Sequence, residues 1–288
     1  MAGLLVFAAC ASFSASPEAT ADGGAPEGGA PEGGTPEGGT PEGGDGGTLP
    51  PADAGTSAYR AAVLADGPIA YWRMGTKSGV LIPNEVGGTN ALILQGRFDL
   101  GRPGAIAGDD DTAIRFDGLT TGYARAVDPR PFDFASGAPF TIEWWAKHEP
   151  VDGGAAFQHM IAASEGTSPR SGNGYFVYFA GDTQVQAEFE VPDAGSTLTA
   201  QSPLGWRHYA LVFDGMIVSL VVDGTVVASK AAMGKLAART SAFVVGATSG
   251  RTSSDIGGYG FAGLIDEVAV YDKALSLPSI VAHHQSAN

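Results

Sequence analysis

The chain has 288 residues, with 31 acidic side chains against 16 Lys and Arg, for a formal charge of −15. No basic patch stands out, which excludes the electrostatic footprint of a nucleic-acid binder and argues against sustained contact with anionic lipid heads. Cys10 is the one cysteine, so no disulfide can form within the chain and the folded part must be held by its core alone.

In chain order, the first element is the apolar run Ala2 to Ala9, far shorter than the ~20 residues that span a bilayer. It reads as the apolar part of a secretory signal. Phe7-Ala8-Ala9-Cys10 resembles a bacterial lipobox, whose cysteine is acylated and becomes the mature N-terminus. That resemblance makes Cys10 a lipidation site and the chain an outer-membrane or cell-surface lipoprotein, touching membrane only through this anchor. A plain secretory signal would instead leave it extracellular. Four copies of a five-residue unit follow, from Ala25-Pro26-Glu27-Gly28-Gly29 to Thr40-Pro41-Glu42-Gly43-Gly44. Few large apolar side chains are present to offset the entropy of ordering, and each unit adds one negative charge. We expect residues 1–10 to be the signal and lipobox-like segment, 11–57 a disordered Pro/Glu/Gly linker, and 58–288 one folded domain.

Tyr59 to Ala65 has helical spacing, with Thr56 or Ser57 as a cap, and Asp66-Gly67-Pro68 ends it. From there the signal is β. Strands are expected near 69–74, 90–94, 112–116, 122–127, 139–147, 158–163, 174–180, 184–190, 196–200, 242–246 and 259–271. Between Trp206 and Lys230 three apolar runs are divided by Asp214-Gly215 and Asp223-Gly224. Asp-Gly between such runs predicts type I′ hairpins, because both central residues need positive φ. Many short strands with turn signals indicate an all-β sandwich of two antiparallel sheets, jelly-roll-like.

Five segments narrow this further: Asp66-Gly67-Pro68-Ile69-Ala70-Tyr71-Trp72-Arg73, Phe116-Asp117-Gly118, Phe140 to Trp145, Trp206 to Gly215, and Phe261 to Ser276 with its Ile265-Asp266-Glu267-Val268 core. In this order they resemble laminin-G-like domains of the concanavalin A-like lectin/glucanase superfamily. The resemblance implies a concanavalin A-like jelly roll and leaves function open, since the fold hosts lectins, adhesion modules and glycosidases. It also implies that Asp266 in the final strand helps hold a structural Ca²⁺. Calcium favours hard oxygen ligands, and strict alternation puts Asp266 on a face with Leu264, Val268 and Val270, where a carboxylate needs a partner. Backbone N–H groups or an arginine would also serve. Asp117 is a turn former or a second ligand, and Asp109-Asp110-Asp111 reads as a solvated loop.

Catalysis is not expected. Retaining glycosidases need paired carboxyls about 5–5.5 Å apart; Glu188 and Glu190 are the candidates, but alternating acids also mark a solvated strand face. Glu143 shares a face with Thr141, Trp145 and Lys147 and has no second acid. Adjacent His283 and His284 read as part of a frayed C-terminus. Rings beside polar groups suit sugars, whose C–H faces stack on them. Trp145 is therefore a candidate platform, though packing under the N-terminal segment explains it as well. Tyr175 and Tyr178, with Arg170 and Asn173 in one polar loop and Arg251 in another, are candidate ligand-binding residues. The expected role is a surface-displayed module binding a glycan, or else a surface or matrix protein.

Overall fold

The computed structural model describes residues 57–288 except 119–121, 153–155, 166–172, 192–193, 233 and 250–258. The expectations for Cys10, the linker, Arg170 and Arg251 lie outside the described residues. Helix α1 (Ala58–Ala65) is capped by Ser57, whose hydroxyl accepts from Arg60 N. The strands follow as β1 (Ala70–Trp72), β2 (Leu81–Ile82), β3 (Leu92–Gln95), β4 (Phe98–Pro103), β5 (Thr112–Asp117), β6 (Tyr123–Ala126), β7 (Phe140–His148) and β8 (Phe157–Ser164). Then come β9 (Gly174–Ala180), β10 (Gln184–Val191), β11 (Ala194–Gln201), β12 (Gly205–Phe213), β13 (Ile217–Val222), β14 (Thr225–Ala231), β15 (Val244–Val245) and β16 (Ala262–Tyr271). Helix α2 (Leu277–Ser286) closes the chain, with Ser276 as its cap and Pro278 in its first turn.

Two antiparallel sheets face each other. One runs β14-β13-β12-β7-β16-β5-β4, with β1 pairing the second half of β16; the other runs β11-β10-β9-β8-β15-β6-β3-β2. The alternation that marks each strand in the sequence turns one apolar row inward. Trp72, Phe140, Trp144, Tyr175, Phe179, Phe189, Phe213 and Phe243 meet there in a single core. The Asp223-Gly224 turn has φ of 48° and 73°, as a type I′ turn requires. Asp214-Gly215 differs. Asp214 N donates to Ile217 O, so the central pair is Gly215-Met216 with only Gly215 at positive φ, as a type II′ turn has it, and the Asp214 carboxylate accepts from Met216 N and Ile217 N.

Two expectations fail at the end of the chain. Residues 277–286 are not frayed: they form α2, which packs on α1. Together the helices cover the outer face of the first sheet, burying Tyr59, Val63, Trp145, Ala210, Tyr271 and Ile280. The alternation in β16 is also broken. A bulge at Asp266-Glu267, with Glu267 at φ 51°, shifts the parity. Ile265, Val268 and Val270 enter the core, while Asp266 and Glu267 both stay out of it.

Candidate functional sites

The bulge builds the first site. Two consecutive carboxylates that a regular strand would send to opposite faces now lie together with Asp111: one oxygen from each of Asp111, Asp266 and Glu267 falls within 4.8 Å of the others. Arg73, just after β1, enters the cluster. Its Nη2 donates to Asp109 Oδ2 (2.6 Å) and Glu267 Oε1 (3.1 Å), and its Nε lies 3.2 Å from Asp111 Oδ2. Tyr71 donates its hydroxyl to Glu267 Oε2. Asp266 Oδ2 accepts from Ala105 N (2.8 Å) and Oδ1 from Glu267 N (3.0 Å). Four carboxyls thus face one guanidinium, nearly all out of water. Burial pushes the Asp266 carboxyl up to about 7, with the Asp111 charge adding to it, and raises Glu267 through burial and then Asp266. One guanidinium does not match four carboxyls, and burial drives Asp266 and Glu267 toward their protonated forms when no other cation is near. The pocket's donors are all hard oxygens, the set that a calcium-sized cation takes, and the charge deficit is what such an ion would fill.

Sequence reasoning found Asp266 but missed Asp111, Glu267 and Arg73. Asp109 to Asp111 was expected to be a solvated loop. Instead Asp109 and Asp111 are drawn inward by Arg73, and Asp111 N donates to Asp109 Oδ1. Asp117 does not join. It pairs with Ala262, four positions before Asp266, and lines a polar surface cavity of about 440 Å³ with Arg97, Asp99 and Arg115.

The second cluster lies beneath the terminal helices. Glu143 is fully buried on β7. It accepts from the Tyr271 hydroxyl and from His283 Nδ1 (3.0 Å), and His208 Nε2 lies 3.3 Å away. His283 Nε2 is 3.2 Å from Asp66 Oδ2, at the end of α1. Burial alone would raise the Glu143 carboxyl, but His208 and His283 hold it at about 2. Burial alone would lower His283, but Glu143 raises it above the usual histidine value. Trp145 sits beside this network, stacked on His284 at 5.6 Å and edge-on to Tyr59 at 6.2 Å. It is packing beneath α1 and α2, not an open platform.

The third region is the outer face of β8, β9 and β10. His159 is flanked by the rings of Phe176, Tyr178 and Tyr259 at 5.0–5.5 Å. Tyr178 Oη lies 2.7 Å from Glu188 Oε1 and 2.5 Å from Gln186 Oε1, and Ser164 Oγ donates to Glu190 Oε2 (3.4 Å). Of the predicted binding residues, Tyr178 belongs here. Tyr175 does not: it points into the core, and its hydroxyl donates to Phe132 O. The Asn173 side chain clamps the backbone of Ala237, donating to its carbonyl and accepting from its N–H, both at 2.9 Å.

A family model described as the concanavalin A-like lectin/glucanases superfamily, laminin-G type, matches residues 117–281. The chain belongs to this laminin-G family. No curated protein matches it. Among solved structures it is similar to the binding domain of Paraclostridial Mosquitocidal Protein 1 (TM-score 0.59, 12% identity, 77% of this chain and 53% of that one). It is also similar to the binding domain of botulinum neurotoxin DC, solved in complex with SialylT and with rat synaptotagmin II (each TM-score 0.55, 9% identity, 77% of this chain and 52% of that one). The laminin-G chain spans about half the length of these solved chains, and at such identities the likeness is one of fold.

Proposed function

We propose that this laminin-G domain is a non-catalytic recognition module, displayed from a bacterial envelope, that binds carbohydrate. The observation that carries this reading is the contrast between its two outer faces. One is sealed by α1 and α2. The other carries rings beside amides and carboxylates, the mixture that recognises sugars. The similar solved structures are themselves binding domains, one of them solved in complex with SialylT and with rat synaptotagmin II. The test is a glycan-array screen of the full chain, with a cooperative melt to prove folding. Binding to a defined glycan class sustains the reading; a folded chain that binds none of them turns it toward a protein-adhesion or structural role.

The acidic pocket has a supporting part in this reading. Asp266, Glu267 and Asp111 would hold Ca²⁺, tying the bulge of β16 to the segment before β5. Removing the ion with EDTA should lower the melting temperature by roughly 5–10 °C, as expected for a ligand present at ~100 times its Kd in a domain of this size. Asp266→Ala should melt at the same temperature with and without EDTA. A wild-type melt indifferent to EDTA would remove calcium from the account.

Cys10, acylated, would anchor the chain at the outer membrane or cell surface, multiple acyl chains contributing ~0.8 kcal/mol per buried CH₂. Cys10→Ala should then change gel mobility and release the protein into the medium. A variant that matches wild type in both would remove the anchor.

A further inference from the structure

We infer that the polar cavity at the β4–β5 hairpin is a ligand site, and that it takes the hydroxyl-bearing end of a neutral saccharide. This deepens the recognition reading above and rests on it.

The cavity measures about 440 Å³, with Arg97, Asp99, Arg115 and Asp117 among its walls. Small-molecule pockets of this size are mostly apolar, so a lining this charged suits a hydrophilic ligand. It lies at the edge of the first sheet. Strand β4 pairs only with β5, and no residue buried beneath α1 and α2 comes from either strand. Alternation sets its chemistry. Phe98 and Phe116, paired across the hairpin, pack on the core, so Asp99 and Arg115, the next pair, turn outward.

The base of the cavity is fixed and its polar groups are open. Gly96, at φ 74°, turns the chain between β3 and β4, and the Tyr123 hydroxyl donates to Gln95 just ahead of it. Gly122 comes so close to this turn that a Cβ there would sit 1.9 Å from the Arg97 carbonyl oxygen. The Arg97 backbone is thus held, while its side chain is 78% exposed and that of Asp99 is 60% exposed. Glu149 steadies Arg115, accepting from its Nε at 3.0 Å.

The spacing suits a hydroxyl. Arg115 Nη1 is 3.7 Å from Asp99 Oδ2, and Arg97 Nε is 4.0 Å from Asp117 Oδ2. Both gaps exceed the ~2.7–3.2 Å of a direct hydrogen bond. A hydroxyl donates and accepts at once. Between Arg115 and Asp99 it would take an N–H from the guanidinium and give its own hydrogen to the carboxylate. Hydrogen bonds to ionised groups are about twice as strong as neutral ones. Arg97 offers a donor to a second hydroxyl, and neighbouring hydroxyls are what a sugar ring supplies.

Charge balance selects the class. Two guanidiniums oppose a metal cation in this cavity, and two carboxylates oppose a sialylated or sulfated sugar. A neutral polyol meets neither repulsion.

The experiment is an array of neutral, sialylated and sulfated glycans probed with the full chain, then titration of the leading hit against Arg97→Ala and Asp99→Ala. Both side chains are exposed, so both variants should melt with the wild type. Each should weaken a neutral hit about tenfold or more, the loss of one hydrogen bond to a charged group, in low and high salt alike. The sign at Asp99 is decisive. Losing this carboxylate weakens a hydroxyl that donates to it and tightens an anion held by the arginines. Neutral hits that bind both variants as tightly as wild type would overturn this cavity and leave carbohydrate recognition standing. Leading hits that are sialylated or sulfated, or tighter binding by Asp99→Ala, would overturn the ligand class. A folded chain that binds no glycan would overturn both this inference and the reading beneath it.

Discussion

Glu143 is where the ends of the folded chain are fastened. It meets His208 from β12, Tyr271 from β16 and His283 from α2, and His283 carries the link on to Asp66 beyond α1. Tyr59 and His284 complete the groups around it. The pKa of His283 is raised in the folded state, so its contribution is complete below the unfolded value near 6.5 and is lost as pH rises through the folded one. The Glu143 pKa is lowered to about 2, so its contribution is complete above the unfolded value near 4.5 and is lost as pH falls toward 2. The clasp is therefore firmest between about pH 4.5 and 6.5. We expect denaturant stability, measured in calcium, to fall from pH 6.5 to 9, and amide exchange in α2 to quicken beyond its intrinsic rise. Glu143→Gln should cost roughly 3–5 kcal/mol, because it leaves the histidines unpaired in the interior, and should abolish that slope. A wild type whose stability is flat over this range would show that the ion pair does not hold the helix.

At the level of elements, β16 decides most. All ten of its residues are buried, and it pairs with β7 on one side and with β5 and then β1 on the other. Its start is tightly fitted. At Gly263 a Cβ would come within 2.1 Å of Lys147 O, and φ is 142°. Gly263→Ala should destabilise by about 1–3 kcal/mol or more, as overpacking does, with the loss read from urea unfolding. A substitution without effect would mean that β7 and β16 can part at no cost. The position of β16 was legible, because Leu264, Ile265, Val268 and Val270 announce a strand. Its bulge was not: a parity shift of one residue leaves no mark in composition, and the sequence alone pointed to a buried Asp266 without its partners. Helix α2 was hidden for a related reason. Its face toward the sheet is made by Ile280 and His283, and the histidine is apolar-facing only because Glu143 waits for it.

For the whole molecule, the sandwich was readable from turn dipeptides and alternating runs, since those features are local. Which outer face the helices cover was not, since that depends on helices at opposite ends of the chain meeting over one sheet. The same dependence explains Trp145, Tyr175 and Tyr178. All three are rings on strands, and only the third dimension separates the one under helices, the one in the core and the one beside His159. The consequence is mechanical. Helix α1 is the first described element and lies against the sheet face that the two helices cover. A pull applied ahead of Ser57 would load α1 before it reached either sheet. The first contacts to yield would be those of an eight-residue helix, well before any strand is peeled. Trp145 lies directly beneath, so its fluorescence would act as a strain gauge for the domain under tension.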